Sequence, residues 1–356
     1  MTNWQRIIAV ARRELRIIRQ RPIYLLGSVG VIAFCAIFFL TFLKDGLPSD
    51  VPIGLVDYDY SSTSRNFCQQ LDATQLGKVV HYDSFAAARE DMNRGKIAAV
   101  CVVPVGMNDD IQANRQPKIT FYVNGLYFVS GALAWKDLLQ MVHQIGNVGT
   151  NYNYYLSSVL LPGVLEMIVI IVLIYSLGAE LKYGTSRHLL QTSGNSIVTA
   201  LAGKLLVWTL TFSAIGLILI LLLFHRLHFP LAGSIWNMFL GIFLMIFASE
   251  AIAIFILEML PVPRLALSIG ALYSVLGFSL SGFTLPIEAM PPYIQGLAAA
   301  FPLRHYYLFY VQEAIFGAGF AGWWKQVIYL LIFILLPLIG LVRLKKAYIH
   351  QNFPKD

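Results

Sequence analysis

The sequence predicts an α-helical polytopic membrane protein with six transmembrane helices, an N-terminal amphipathic interfacial helix, and an α/β extracytoplasmic domain between spans one and two. Three observations carry that reading. Hydrophobic residues make up 57% and charged residues 13% of the 356 positions, against roughly 25% charged in a soluble chain. Charge-poor runs recur at lengths that cross a bilayer, for which about 20 apolar residues suffice. Between the first run and the second, residues 44–156 gather most of the acidic residues into alternating strand-like and helix-like segments.

Residues 1–21 read as a helix lying in the membrane interface. At about 100° per residue, Trp4, Ile7, Ile8, Ala11, Leu15 and Ile18 share one arc, and Arg6, Arg12, Arg13, Arg16 and Arg19 take the other side. A basic face, an apolar face and a Trp define that location. Residues 22–43 form span one, uncharged from Pro22 to Leu43.

In residues 44–156, PIGLVDYD (52–59), KVVHYD (78–83), IAAVCVVP (97–104) and KITFYV (118–123) read as strands. Ser61 to Ala73, FAAAREDMNRGK and Ser130 to Ile145 read as helices, and the alternation implies an α/β fold. Asp57 and Asp59 resemble half a metal site, but solvated turn carboxylates account for them better. His81 and His143 stand too isolated to complete a ligand set, so no metal is expected. Cys68 and Cys101 leave two readings, a disulfide or two unpaired thiols, of which the second is preferred; Cys35 lies in span one.

Residues 157–343 hold the other spans. These are Leu156 to Ala179, broken only by Glu166; Leu205 to Phe224; Leu231 to Leu257, broken only by Glu250; Leu265 to Ile287; and Gln326 to Val342. Lipid cannot satisfy open backbone groups, so all must be helices. Trp323 and Trp324 precede the last as an interfacial pair. A polar connector, 179–204, separates spans two and three. Residues 284–322, punctuated by Pro286, Pro291, Pro292 and Pro302, fit two short re-entrant helices in the outer leaflet, with Tyr306, Tyr307 and Tyr310 as a belt. Gly270, Ser274, Gly277 and Ser281 line one face of span five, a packing seam within the monomer or against a second chain. Residues 344–356 form a tail.

Lys and Arg set the orientation. Of the 26, 14 fall in residues 1–21, the connector, the loop at Arg264 and the tail, whereas segment 44–156 is net −2 in a chain of net +7. The positive-inside rule puts both termini in the cytoplasm. The basic balance thus reflects topology and contact with membrane lipid, not nucleic acid. No signal peptide is expected, because the first apolar run is too long and lacks a cleavage site.

Chemistry is sparse. The Gly-Lys pairs at 77–78, 95–96 and 203–204 continue into Val, Ile and Leu, so none completes a phosphate-binding loop. No GxSxG, HExxH or CxxC motif is present, and no catalytic residue or cofactor site is expected in this chain. Glu166 and Glu250 lie within spans, where a charge costs about 2.5 kcal/mol or more. They are a polar patch on a translocation path, a proton-coupled relay, or protonated groups bonded to a neighbouring helix's backbone or Ser. Glu258 reads as a solvated end charge.

Three features make the chain resemble the type-2 ABC transporter permease family. One is the interfacial helix before span one, with a domain opening on a strand, IGLVDYDYSSTSR, after it. The second is Glu180-x-x-x-Gly184-Thr185, followed by a helical stretch ending at Lys204. The third is SGFTLPIEAMPPYIQGLAAAFPLRHYYLFYVQEAIFGAG (281–319), where Ser281-Gly282, Pro286, Met290-Pro291 and Pro302-Leu303 match the family pattern and Gln312-Glu313 stand where an Arg is often seen. The resemblance implies a permease subunit of an exporter of amphipathic or hydrophobic, drug- or lipid-like compounds. It implies a partner ATPase holding ATP and Mg, and a homodimer or heterodimer; a periplasmic adaptor is a further partner it admits. The 180–204 loop would then be the coupling helix, with Glu180 and Arg187 as polar contacts, Gly184 turning the chain and Thr185 capping the helix. The reading from another class is a non-transporting scaffold or receptor whose ectodomain binds a partner. An intramembrane enzyme would need a His, Asp or Ser constellation at one depth, which the spans lack.

Overall fold

Uncharged runs fold as long helices, and the breaks in them fall on glycine and proline. In the computed structural model, which describes residues 2–42, 51–72, 77–112, 119–123, 152–283, 287 and 290–350, the chain forms two compact units. One comprises Met1–Phe42 with Asn153–Asp356, the other Leu43–Tyr152.

The smaller unit runs β1 (Val51–Asp57), α3 (Ser62–Asp72), β2 (Gly77–His81), α4 (Phe85–Asn93), β3 (Ala99–Val103), α5 (Met107–Gln112) and β4 (Thr120–Val123), the numbering counting two helices of the larger unit, α1 (Asn3–Gln20) and α2 (Pro22–Phe42), that precede it. The sheet order is β2-β1-β3-β4, with β1 parallel to β2 and β3 and with β4 antiparallel to β3. Successive side chains point to opposite faces, so Leu55 and Cys101 join Leu71 and Met107 in one core while Val56 and Val100 join Ala88 and Ile97 in the other. The predicted helix Ser130 to Ile145 lies outside the described residues, as does His143.

Asp57 and Asp59 are turn and cap ligands. Asp57 accepts from the Ser64 hydroxyl at 2.7 Å, and Asp59 accepts from the backbone N–H groups of Gly106 at 2.8 Å and Asn108 at 3.2 Å, closing the start of α5. Hydrogen bonds from Ser61 and from that helix start hold the Asp59 carboxyl below the usual range. No group of three metal-ligating side chains gathers among the described residues. Cys68 and Cys101 are free, buried thiols. Burial pushes Cys101 up to about 12.

The larger unit opens with α1 (Asn3–Gln20) and α2 (Pro22–Phe42). It continues with α6 (Tyr152–Lys182), α7 (Ser186–Thr192), α8 (Ile197–Arg226), α9 (Ile235–Met259), α10 (Pro263–Ser279), α11 (Pro292–Ala298), α12 (Pro302–Tyr310), α13 (Gly319–Ile339) and α14 (Leu341–His350). Five of these, α2, α6, α8, α9 and α13, are long and apolar enough to cross a membrane among the described residues. The run Leu265 to Ile287, expected as a sixth, ends its helix at Ser279, because Gly282 turns the chain at φ 90°. Its 17 residues rise about 26 Å, at the lower end of the length that crosses a bilayer. Inside α2 a π turn at Leu26–Gly30 coincides with two glycines and with Ser28, whose hydroxyl donates to the Tyr24 carbonyl at 2.6 Å. Residues 344–350, expected as tail, belong to α14 and bury Leu344 and Tyr348.

Candidate coupling site

The site begins with α1. Its apolar arc divides: Ala11 and Ile18 are buried, together with Val10 beside the arc, while Trp4 and Leu15 remain more than half exposed. The buried half lies on α8, where Gly203 allows the approach. A Cβ there would stand 2.5 Å from that of Val10 and 2.9 Å from the Ile7 carbonyl. This contact takes Glu14, the single acid among residues 1–21, fully out of water.

Glu14 is compensated by three side chains on two helices. Lys204 of α8 stands 2.7 Å from Oε2, and the Ser176 hydroxyl of α6 and the Trp208 indole N–H of α8 donate to Oε1 at 2.6 and 3.1 Å. Lys204 also donates to Glu180 Oε1 at 2.9 Å. Arg13 donates to the same carboxylate through both terminal nitrogens, at 2.6 and 2.9 Å. A bidentate guanidinium fixes direction as well as charge. Two carboxylates, a guanidinium and an ammonium thus balance in a nearly dry site. Burial of such a set is tolerable only when every member is paired.

Glu180 and Lys204 bracket the 180–204 connector, so their ion pair closes its base. Gly184, at φ 66°, turns the chain out of α6. Thr185 occupies the N-cap position of α7, but its hydroxyl donates to Glu180 at 2.5 Å and leaves the helix uncapped by a side chain. The expected cap is therefore a second support for Glu180. From α7, Ser186 donates to the Tyr348 carbonyl at 2.8 Å and Arg187 Nε donates to the Ile349 carbonyl at 2.9 Å, fastening the loop to α14. Tyr348 in turn donates to the Leu177 carbonyl at 3.0 Å; burial keeps its phenol protonated, far above the usual range. Leu189 and Leu190 face inward, whereas Arg187, His188 and Gln191 present a polar outer face.

The intramembrane acids lie elsewhere. Glu166 is fully buried in α6, and neither of its carboxylate oxygens has a hydrogen-bond partner among the described residues. Glu250 of α9 accepts from the Thr209 hydroxyl at 2.7 Å, and its other oxygen has no partner among the described residues. Glu166 and Glu250 share no hydrogen bond among the described residues. Glu258 is fully buried against Gly340 instead of solvated at a helix end; a Cβ at Gly340 would come within 2.6 Å of its Oε2.

On α10, Gly270 faces Ile170 and Ile174 of α6, and Gly277 faces Phe301. Ser274 is buried on that helix, whereas Ser281, also buried, lies past its end at Ser279, so the expected four-residue face stops at Gly277. Pro286 lies outside the described residues. Met290 bonds back to the Ile287 carbonyl at 2.9 Å, Pro291 precedes α11, and Pro302 is the first residue of α12. Tyr306 and Tyr310, expected at an interface belt, are buried, as is Trp323, expected as an interfacial anchor. Trp323 donates to Glu313 at 2.7 Å, and that carboxylate also accepts from the Ser234 backbone at 2.7 Å and the Asn237 amide at 2.8 Å.

These features define a class: a multi-pass membrane protein whose polar chemistry is invested in a clamp between a surface helix and a short connector. The chain belongs to the ABC-2 family transporter proteins, which it matches over residues 23–343. It is 24% identical over 311 residues to the inner membrane transport permease YhhJ of Escherichia coli (strain K12), covering 79% of this chain and 81% of the relative. The protein of the same name from Shigella flexneri matches to the same extent.

Proposed function

We propose that this chain is the transport permease subunit of an ATP-driven exporter in a bacterial inner membrane, energised by a separate ATPase chain that binds ATP and Mg. The observation that carries the reading is the clamped connector. Its base is closed by Glu180 and Lys204, its helix is fastened to α14, and its outer face is polar. Force applied to that face passes directly into α6, α8 and α1. The family match and the permease relatives support transport. Charge asymmetry supports a cytoplasmic connector and cytoplasmic termini.

Two chains pair across α10, whose Leu272, Val275 and Leu276 are exposed, as a homodimer or with a second permease. The cargo is amphipathic or hydrophobic, because the spans offer few fixed polar groups; Glu166 and Glu250 supply what polarity the path has. A periplasmic adaptor would meet the smaller unit.

Co-purification with a nucleotide-binding subunit tests this. The complex in proteoliposomes is expected to hydrolyse ATP faster with cargo than without. Replacing His188 by Glu on the exposed face of α7 should abolish that stimulation while the chain stays folded. A chain that recruits no ATPase and moves nothing with ATP is a scaffold or receptor instead.

A further inference from the structure

Beside the clamp, the larger unit contains two adjoining hollows of opposite character. The first, about 220 Å³, is lined by Arg13, Arg16, Arg21, Tyr183, Glu180 and Lys204 among others. The second, about 350 Å³, runs between α2 and α6 past Ile23, Gly27, Val31, Ile168 and Val172, with Leu267 of α10 at its side. Tyr24 borders both. Its ring is buried against Tyr175 and Trp208, with centroids at 5.3 and 5.7 Å.

The charges in the first hollow do not balance. Arg13 and Lys204 are neutralised by Glu180 and Glu14. Arg16 and Arg21 form no ion pair among the described residues; Arg21 lies over the Tyr183 ring at 4.3 Å. Two guanidiniums therefore border a cavity whose only carboxylate is committed elsewhere. Beside it, the apolar groove widens where Gly27 presents no side chain: a Cβ there would meet nothing within 4 Å.

We infer that these two hollows form one binding site for an anionic glycerophospholipid, with its phosphate between Arg16 and Arg21 and one acyl chain along the groove past Gly27. A zwitterionic lipid would bring an ammonium into a region already in positive excess. A free phosphate would leave the groove unused. Planar guanidiniums match phosphate oxygens, and basic groups at a membrane surface attract anionic lipid. The site needs α1 at a membrane surface and does not depend on transport.

The test is lipid retention by the full chain, without any ATPase, in nanodiscs of phosphatidylcholine with or without phosphatidylglycerol, read by native mass spectrometry after detergent extraction. One phosphatidylglycerol per chain should survive extraction. Arg16→Gln with Arg21→Gln should lower its retention about tenfold, and Gly27→Leu, which fills the groove from an open position, should do the same. Arg12→Gln with Arg19→Gln, on the exposed side of α1, should leave it unchanged. An equal loss in that control pair would reduce the effect to diffuse surface charge and overturn the site. Displacement by glycerol 3-phosphate as effective as by the lipid would remove the acyl-chain half of the assignment. Transport assays enter at no point, so an exporter without this site and a lipid-binding chain that exports nothing give different results.

Discussion

Lys204 holds the clamp together at the level of single atoms. It is 1% exposed and lies within ion-pair distance of both Glu14 and Glu180. Removing one member of a buried pair leaves the other desolvated and uncompensated, at about 3–5 kcal/mol. Lys204→Met should therefore destabilise the chain in detergent by the lower part of that range, since Arg13 still holds Glu180. Adding Glu14→Gln removes the stranded charge and should recover at least about 1 kcal/mol relative to additivity. Thermal unfolding of the two single variants and the double variant measures this; strictly additive losses would mean that the ammonium and Glu14 do not interact.

Among the elements, α1 has the most consequential placement, and one glycine decides it. With a Cβ at position 203, Val10 and the Ile7 carbonyl must both move, and the second is backbone. Gly203→Ala should lift α1 from α8, open Glu14 to water and speed tryptic cleavage at Arg12 and Arg13 several-fold. Unchanged cleavage would show that α1 does not need that contact. Hydropathy alone located α2, α6, α8, α9 and α13, and short apolar segments separated by helix-like ones located β1 to β4, because these patterns are local. Connector residues 180–204 were legible from polarity between two apolar runs. Glu14 was not singled out, although a lone acid between Val10 and Ile18 at i±4 was the available signal; its partners Ser176 and Trp208 lie 162 and 194 residues away. Glu258 and Trp323 were misread for the same reason. A window of sequence shows an acid near a helix end or a Trp before a span, and only tertiary packing shows Gly340 or Glu313 against it.

On the scale of the whole molecule, the distribution of charge makes a statement that no single helix makes. The segment 44–156 is net −2 and the rest of the chain net +9, so the smaller unit and the connector should lie on opposite sides of the membrane. Thiol labelling reads this cleanly, because the native cysteines of the smaller unit are silent. Cys68 and Cys101 are buried and their thiols are raised by burial, Cys101 to about 12, so their reactive thiolate is scarce. With Cys35→Ser removing the third, single cysteines can be introduced at two exposed sites. His188→Cys lies on α7, and Arg94→Cys follows α4, where its partner Glu90 is a surface pair worth little. A membrane-impermeant maleimide should label Arg94→Cys on intact spheroplasts and His188→Cys only in inverted vesicles. Labelling of position 188 on intact spheroplasts would put the clamp on the outer face, where no cytoplasmic ATPase could reach it.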